Sequence, residues 1–313
     1  MELGFETRIA LQRLAVPLAL SIAGGLLLAR HGRSQATDSE SRASVPWAML
    51  LGAFFVAAGP LVSDLWQREL LLEPTRWKEW TASEPWMWMV WIVPASILLL
   101  AIVRCLIPSV VSYASWIHPL STTLFLVGLW FCLPSGKGWE DKVTDVVVWL
   151  VVGTLAAAWN QLAIDSIASR PGGRWIPLVL VMQFACIAAL ALQSYAMLGE
   201  WSLVGLGLAV GLSVVSLGIS TPTALPMGWP LNVAIIPVLW MGVACLAVSQ
   251  FYVSTPPPVW LTGAVLLLPS AVGLADATIK NQRVWIRMLV GAMLSVIILG
   301  SVIAMVMQNQ PEW

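Results

Sequence analysis

Asn160, Gln161 and Asp165 are the densest group of side chains able to do chemistry in this chain, and they lie within one apolar run. Gln161 and Asp165 are four residues apart, a spacing that puts them on one face of a helix. Gln183 and Gln193 occupy the next apolar run, and Asn232 and Gln250 a later one. Side-chain amides donate and accept hydrogen bonds without carrying charge. Facing one another, they would line a polar cavity for a small molecule. They would serve equally well as hydrogen bonds between membrane helices. The candidate binding residues are therefore Asn160, Gln161, Asp165, Gln183 and Asn232.

Charged groups at membrane depth are costly, so they are the next place to look for function. Arg104 falls about one helical turn inside its apolar run, while Asp165 and Asp276 close theirs and Asp145 opens its own. Arg104, Asp165 and Asp276 are expected at the same side of the membrane. An ion pair of Arg104 with Asp165 or Asp276 would lower the cost of both charges, as a gate or as structural glue.

Enzyme chemistry finds little purchase. The histidines are His31 and His118, too few for a multi-histidine metal site, and no His-Glu-x-x-His is present. His118, followed by Pro119, reads as an interfacial residue. Cys105, Cys132, Cys186 and Cys245 sit in separate apolar runs without a Cys-x-x-Cys pair. Gly136-Lys137-Gly138 lacks the first glycine and the Ser/Thr of a phosphate loop. Lys137, Lys142 and Lys280 lie outside the apolar runs, so no Ser–Lys dyad is expected within the membrane. No catalytic residue, metal or cofactor is expected.

The elements that must position these groups follow from composition. The chain is 59% hydrophobic and 10% charged, where a soluble domain carries roughly a quarter charged residues. Sixteen basic and sixteen acidic residues cancel, which removes the field that nucleic acid binding would need. Apolar runs near 9–29, 46–66, 86–107, 116–133, 143–164, 175–198, 202–219, 230–253, 259–276 and 286–307 are each close to the length that crosses a bilayer. The fold class is thus an all-α integral membrane protein, a polytopic bundle of about ten transmembrane helices with short loops. Arg8 and Arg13 precede the first run as in a signal peptide, but no small-x-small cleavage site follows it, so a retained helix is expected.

Tryptophan favours the headgroup layer. Trp47, Trp86, Trp116, Trp175, Trp201, Trp229, Trp260 and Trp285 mark run starts, and Trp66 and Trp130 run ends. Trp149, Trp159 and Trp240 lie deeper, where an aromatic site would need them. One face of the membrane receives Arg30, Arg33, Arg42, Arg104, Arg170, Arg174, Lys280, Arg283 and Arg287. By the positive-inside rule that face is cytoplasmic, with both termini outside the cell membrane.

A single transmembrane domain over 1–313 is expected. Pro171-Gly172-Gly173 separates possible inverted halves, 1–170 and 174–313, in which Pro17 answers to Pro177, Pro94 to Pro237 and Pro119 to Pro269. Inverted halves are a transporter feature. Residues 64–85 form the longest loop, an amphipathic segment suited to the lipid interface or to a partner. Gly207-x-x-x-Gly211 permits close helix approach, within the chain or to another membrane protein, and Gly291 with Ser295 offers a second such surface. Besides the lipid bilayer, the expected partners are a small-molecule substrate or a membrane protein docking at Gly207, Gly211 or the 64–85 loop. A small-molecule permease is the leading expectation. A noncatalytic membrane subunit or scaffold is the alternative.

Overall fold

A computed structural model describes residues 5–37, 46–68, 85–107, 110–134, 140–168, 175–192, 196–218, 231–252 and 257–308. These residues build α-helices and short 3-10 turns, with no strand among them. In chain order the helices are α1 (Phe5–Thr37), α2 (Pro46–Gln67), α3 (Met89–Leu106), α4 (Val110–Cys132), α5 (Val143–Ala168), α6 (Ile176–Leu192), α7 (Ala196–Gly218), α8 (Asn232–Tyr252), α9 (Val259–Leu266), α10 (Leu268–Thr278) and α11 (Val284–Gln308).

Among the described residues seven helices are long and apolar enough to cross a membrane, and α9 with α10 makes an eighth if that bent pair is one span. The apolar stretches of α4 and α6, Trp116–Cys132 and Ile176–Leu190, are shorter. Helical structure is the natural answer to such runs, because lipid offers backbone N–H and C=O groups no partner. The expected run at 259–276 is not one helix: it breaks at Leu267, and its halves meet at 55°.

Small residues set the packing. A Cβ on Gly24 of α1 would lie 2.4 Å from Gly52 O of α2, and one on Gly52 would lie 2.8 Å from Gly24 O, so these backbones touch directly. Gly207 of α7 faces Leu14 O of α1 in the same way, at 2.5 Å from its missing Cβ, and Gly211 meets Leu18 and Ser21. The Gly207-x-x-x-Gly211 face is therefore spent on α1, not left for another protein. Gly291 of α11 accommodates the ring of Trp175, the residue before α6.

At the centre stands α8, every residue of which from Asn232 to Val248 is buried. It packs against α2, α3, α4, α5, α6, α7 and α9. Around it, α1 lies along both α2 and α7, α5 packs on α10, and α11 closes against α6 and α10. The periphery is apolar, as a bilayer-facing surface must be, with Leu289, Met293, Val296 and Ile297 of α11 all exposed.

Candidate functional site

The break between α9 and α10 traces to Pro269. Proline carries no N–H, and its ring collides with the carbonyl four residues earlier, here Val265. The helical bond from residue 269 to Val265 O is thus lost. Leu267 N–H caps the end of α9, reaching Gly263 O at 3.0 Å, and Leu267 itself has φ −95° and ψ 6°. Ala271 N–H then bonds Leu267 O at 2.9 Å and helical order resumes.

Two amides from neighbouring helices repair the gap. Gln183 of α6 donates Nε2–H to Val265 O at 3.2 Å. Asn160 of α5 donates Nδ2–H to Leu266 O at 2.7 Å, and its Oδ1 accepts from Ser270 N–H at 3.1 Å and from the Ser270 hydroxyl. In an unbroken helix Leu266 O and Ser270 N–H would bond each other. The Asn160 amide is inserted between them. It completes both groups at a depth where water would otherwise be needed.

This junction is deep. Asn160 precedes Ala168 by two helical turns, about 12 Å, and Gln183 follows Ile176 by about 10 Å. The break itself lies about 16 Å from the end of α10, near the middle of a hydrocarbon layer roughly 30 Å thick. One amide atom here has spare capacity: Gln183 Oε1 is buried with no hydrogen-bond partner among the described residues. Gln183 Oε1 faces Gly242 of α8, where a side chain would come within 3.5 Å of it.

Gln161 turns away from the break toward α4, accepting a 2.8 Å hydrogen bond from the Ser121 hydroxyl. One turn further along α5, Asp165 Oδ2 lies 3.1 Å from His118 Nε2. His118 is thus the partner of Asp165, a role the sequence reading did not give it. Asp276 is held by Arg287, whose Nη2 donates to Asp276 Oδ2 at 2.9 Å while Nε donates to Oδ1. Both aspartates therefore have partners other than the expected Arg104, which donates to Ile107 O at the end of its own helix at 3.0 Å. The physical reason is reach: neighbours in the bundle, α4 for α5 and α11 for α10, bring His118 and Arg287 to the aspartates first. Asn232 lies buried at the first turn of α8, at a helix end, and does not share the junction.

At the opposite end of the bundle a buried ionic group joins α1, α2 and α7. Arg13 Nη2 lies 3.2 Å from both Asp64 Oδ1 and Glu200 Oε2, and its guanidinium stacks 5.0 Å from the Trp201 ring centroid. Arg68 Nε reaches Asp64 Oδ2 at 2.9 Å, and Gln67 Nε2 reaches Glu200 at 2.6 Å. Sequence inspection placed Arg13 as a flanking charge. The missed signal is that Arg13 lies just inside the first apolar run and Glu200 just before the seventh, where a charge demands a partner.

Trp240 packs on Phe125, with centroids 5.8 Å apart, but Trp159 points outward and is exposed. The deep tryptophans do not converge on one site. Of the 64–85 loop, residues 69–84 lie outside the described residues, as does Gln193. Among the described residues no three potential metal-ligating side chains gather. Two surface depressions are apolar grooves, about 560 Å³ between α6 and α11 and about 260 Å³ between α3 and α4. A void of about 20 Å³ among α3, α4 and α8 is also apolar. None of these three is lined by Asn160, Gln161, Gln183 or Asn232. Chemically, the arrangement offers neutral hydrogen-bond donors and acceptors at an interrupted helix, the groups that recognise a small polar solute by direct contact.

No family model, no curated protein and no solved structure matches the chain.

Proposed function

We propose that the chain is a small-molecule permease of the cell membrane, crossing it ten times with both termini on the outer face, and that the α9–α10 junction is its solute site. The observation that carries this reading is the helix interrupted near mid-membrane and held by Asn160 and Gln183. Broken helices of this kind line the binding sites of many transporters. Hydrogen bonds between side-chain amides and backbone exchange readily with those of a solute, and Gln183 Oε1 supplies a further acceptor. The arrangement corresponds to the closed form of such a cycle, with these groups turned on the protein itself. The distribution of Lys and Arg among the loops orients the first loop toward the cytoplasm.

The test needs no knowledge of the solute. In a chain whose four native cysteines are replaced by Ala, Ser270→Cys is exposed in native membranes to a water-soluble, membrane-impermeant methanethiosulfonate. A permease opens its site to water, so Ser270→Cys is labelled faster than Ala247→Cys on the enclosed α8. Equal labelling of the two overturns the proposal. A noncatalytic membrane subunit is the second reading, favoured by the filled apolar interior around α8. It requires Ser270→Cys to stay unlabelled.

A further inference from the structure

Between α6 and α11 runs an apolar groove of about 560 Å³, lined among others by Trp175, Val179 and Met182 on one side and Trp285, Ala292 and Val296 on the other. Gly291 deepens it, since a larger residue there would collide with Trp175. On α11 the lining extends from Trp285 to Val296, about 16 Å at 1.5 Å per residue. That is close to the depth of one leaflet, half of a hydrocarbon core roughly 30 Å thick. The groove opens along α11, the least enclosed of the seven long spans.

Charge is concentrated at one end of it. The turn from Ile279 to Arg283 is tight, with Gln282 N–H bonding Ile279 O and Ile286 N–H bonding Arg283 O, each at 2.9 Å. It delivers Lys280 and Arg283, both exposed, two to five residues before Trp285 at the mouth of the groove. The turn contains no acidic residue, and the adjacent carboxylate, Asp276, is neutralised by Arg287. Trp285, exposed beside these cations, has the amphipathic ring that settles at headgroup level.

We infer that this is a binding site for one anionic phospholipid. One acyl chain lies in the α6–α11 groove, and the phosphate and its headgroup meet Lys280 and Arg283. Apolar walls and leaflet-matched length select an acyl chain, and paired cations at the leaflet's edge select negative charge. The inference stands independently of the permease reading.

The full-length protein, purified in a neutral detergent, is titrated with dioleoylphosphatidylglycerol or dioleoylphosphatidylcholine in mixed micelles. Retained lipid is counted by native mass spectrometry, and thermal stability is read alongside. Phosphatidylglycerol is expected to remain bound and to raise the melting temperature, with phosphatidylcholine doing neither. Lys280→Gln with Arg283→Gln should weaken phosphatidylglycerol binding about 25-fold. Ala292→Phe, at an exposed groove position, should block the acyl chain and abolish the tight adduct. Equal retention of the two lipids overturns the inference, as does wild-type phosphatidylglycerol binding in either variant. Should the double variant fold poorly, Ala292→Phe decides alone.

Discussion

Pro269 takes an amide hydrogen away from Val265 O, and Gln183 gives one back. The two residues should therefore be energetically coupled although they sit on different helices. Gln183→Leu in the natural chain removes the 3.2 Å bond and leaves Val265 O with only the capping Leu267 N–H. Hydrogen bonds between membrane helices average about 0.6 kcal/mol and reach about 1.7, and this one serves a carbonyl deprived of its helical donor, so a cost of about 1 kcal/mol follows. In a Pro269→Ala background residue 269 regains its N–H and loses the ring that pushes against Val265 O. The carbonyl then closes its own helical bond, and Gln183→Leu should cost close to nothing. The expected coupling of about 1 kcal/mol exceeds the 0.3–0.5 kcal/mol or so within which independent sites add. The four proteins of the cycle are unfolded reversibly in mixed micelles with a denaturing detergent, followed by far-ultraviolet circular dichroism. If Gln183→Leu costs the same in both backgrounds, the argument that Gln183 replaces the missing donor is wrong.

Three further outcomes are accessible to the same measurement. Arg13→Met removes the cation shared by Asp64 and Glu200, leaving Asp64 to Arg68 and Glu200 to the Gln67 amide, and should destabilise the bundle by about 1.5–3 kcal/mol; a change under about 1 kcal/mol would show that water already solvates this group. Reversing Asp276 and Arg287 together should restore much of the stability that Asp276→Arg alone removes, whereas reversing Arg104 should be rescued by charge reversal at neither Asp165 nor Asp276. Gly211→Ala places a methyl group against Ser21 and 2.9 Å from Leu18 O, forcing α1 from α7 at about 1–3 kcal/mol, while Gly300→Ala, with nothing within 4 Å, should stay within about 0.5 kcal/mol.

Hydropathy alone made the membrane bundle legible, because a bilayer leaves little choice to an apolar run of sufficient length. The location of the break was not legible. Pro17, Pro60, Pro94, Pro119 and Pro237 also lie inside apolar runs, and their helices continue through them. What singles out Pro269 is the arrival of Asn160 and Gln183 at the vacated backbone positions, a tertiary fact carried by residues about a hundred positions away. Asn160 and Gln183 were legible as candidates, since amides at membrane depth must find partners. Their partners were not, because backbone carbonyls carry no sequence signature. The same holds for His118 with Asp165: proximity came from the packing of α4 on α5, not from spacing along either helix. Gly207 and Gly211 announced a close approach but not that α1 would fill it.

The enclosure of α8 bears on how the bundle is made. Six of the helices that wrap it, α2 to α7, precede it in the chain and enter the membrane first. A bundle closed by these six alone would lack the helix that each of them contacts, since Asn232–Tyr252 is synthesised after them. A chain ending before α8 should therefore expose to lipid, or to the cell's membrane quality control, the surfaces of these six helices that α8 normally covers.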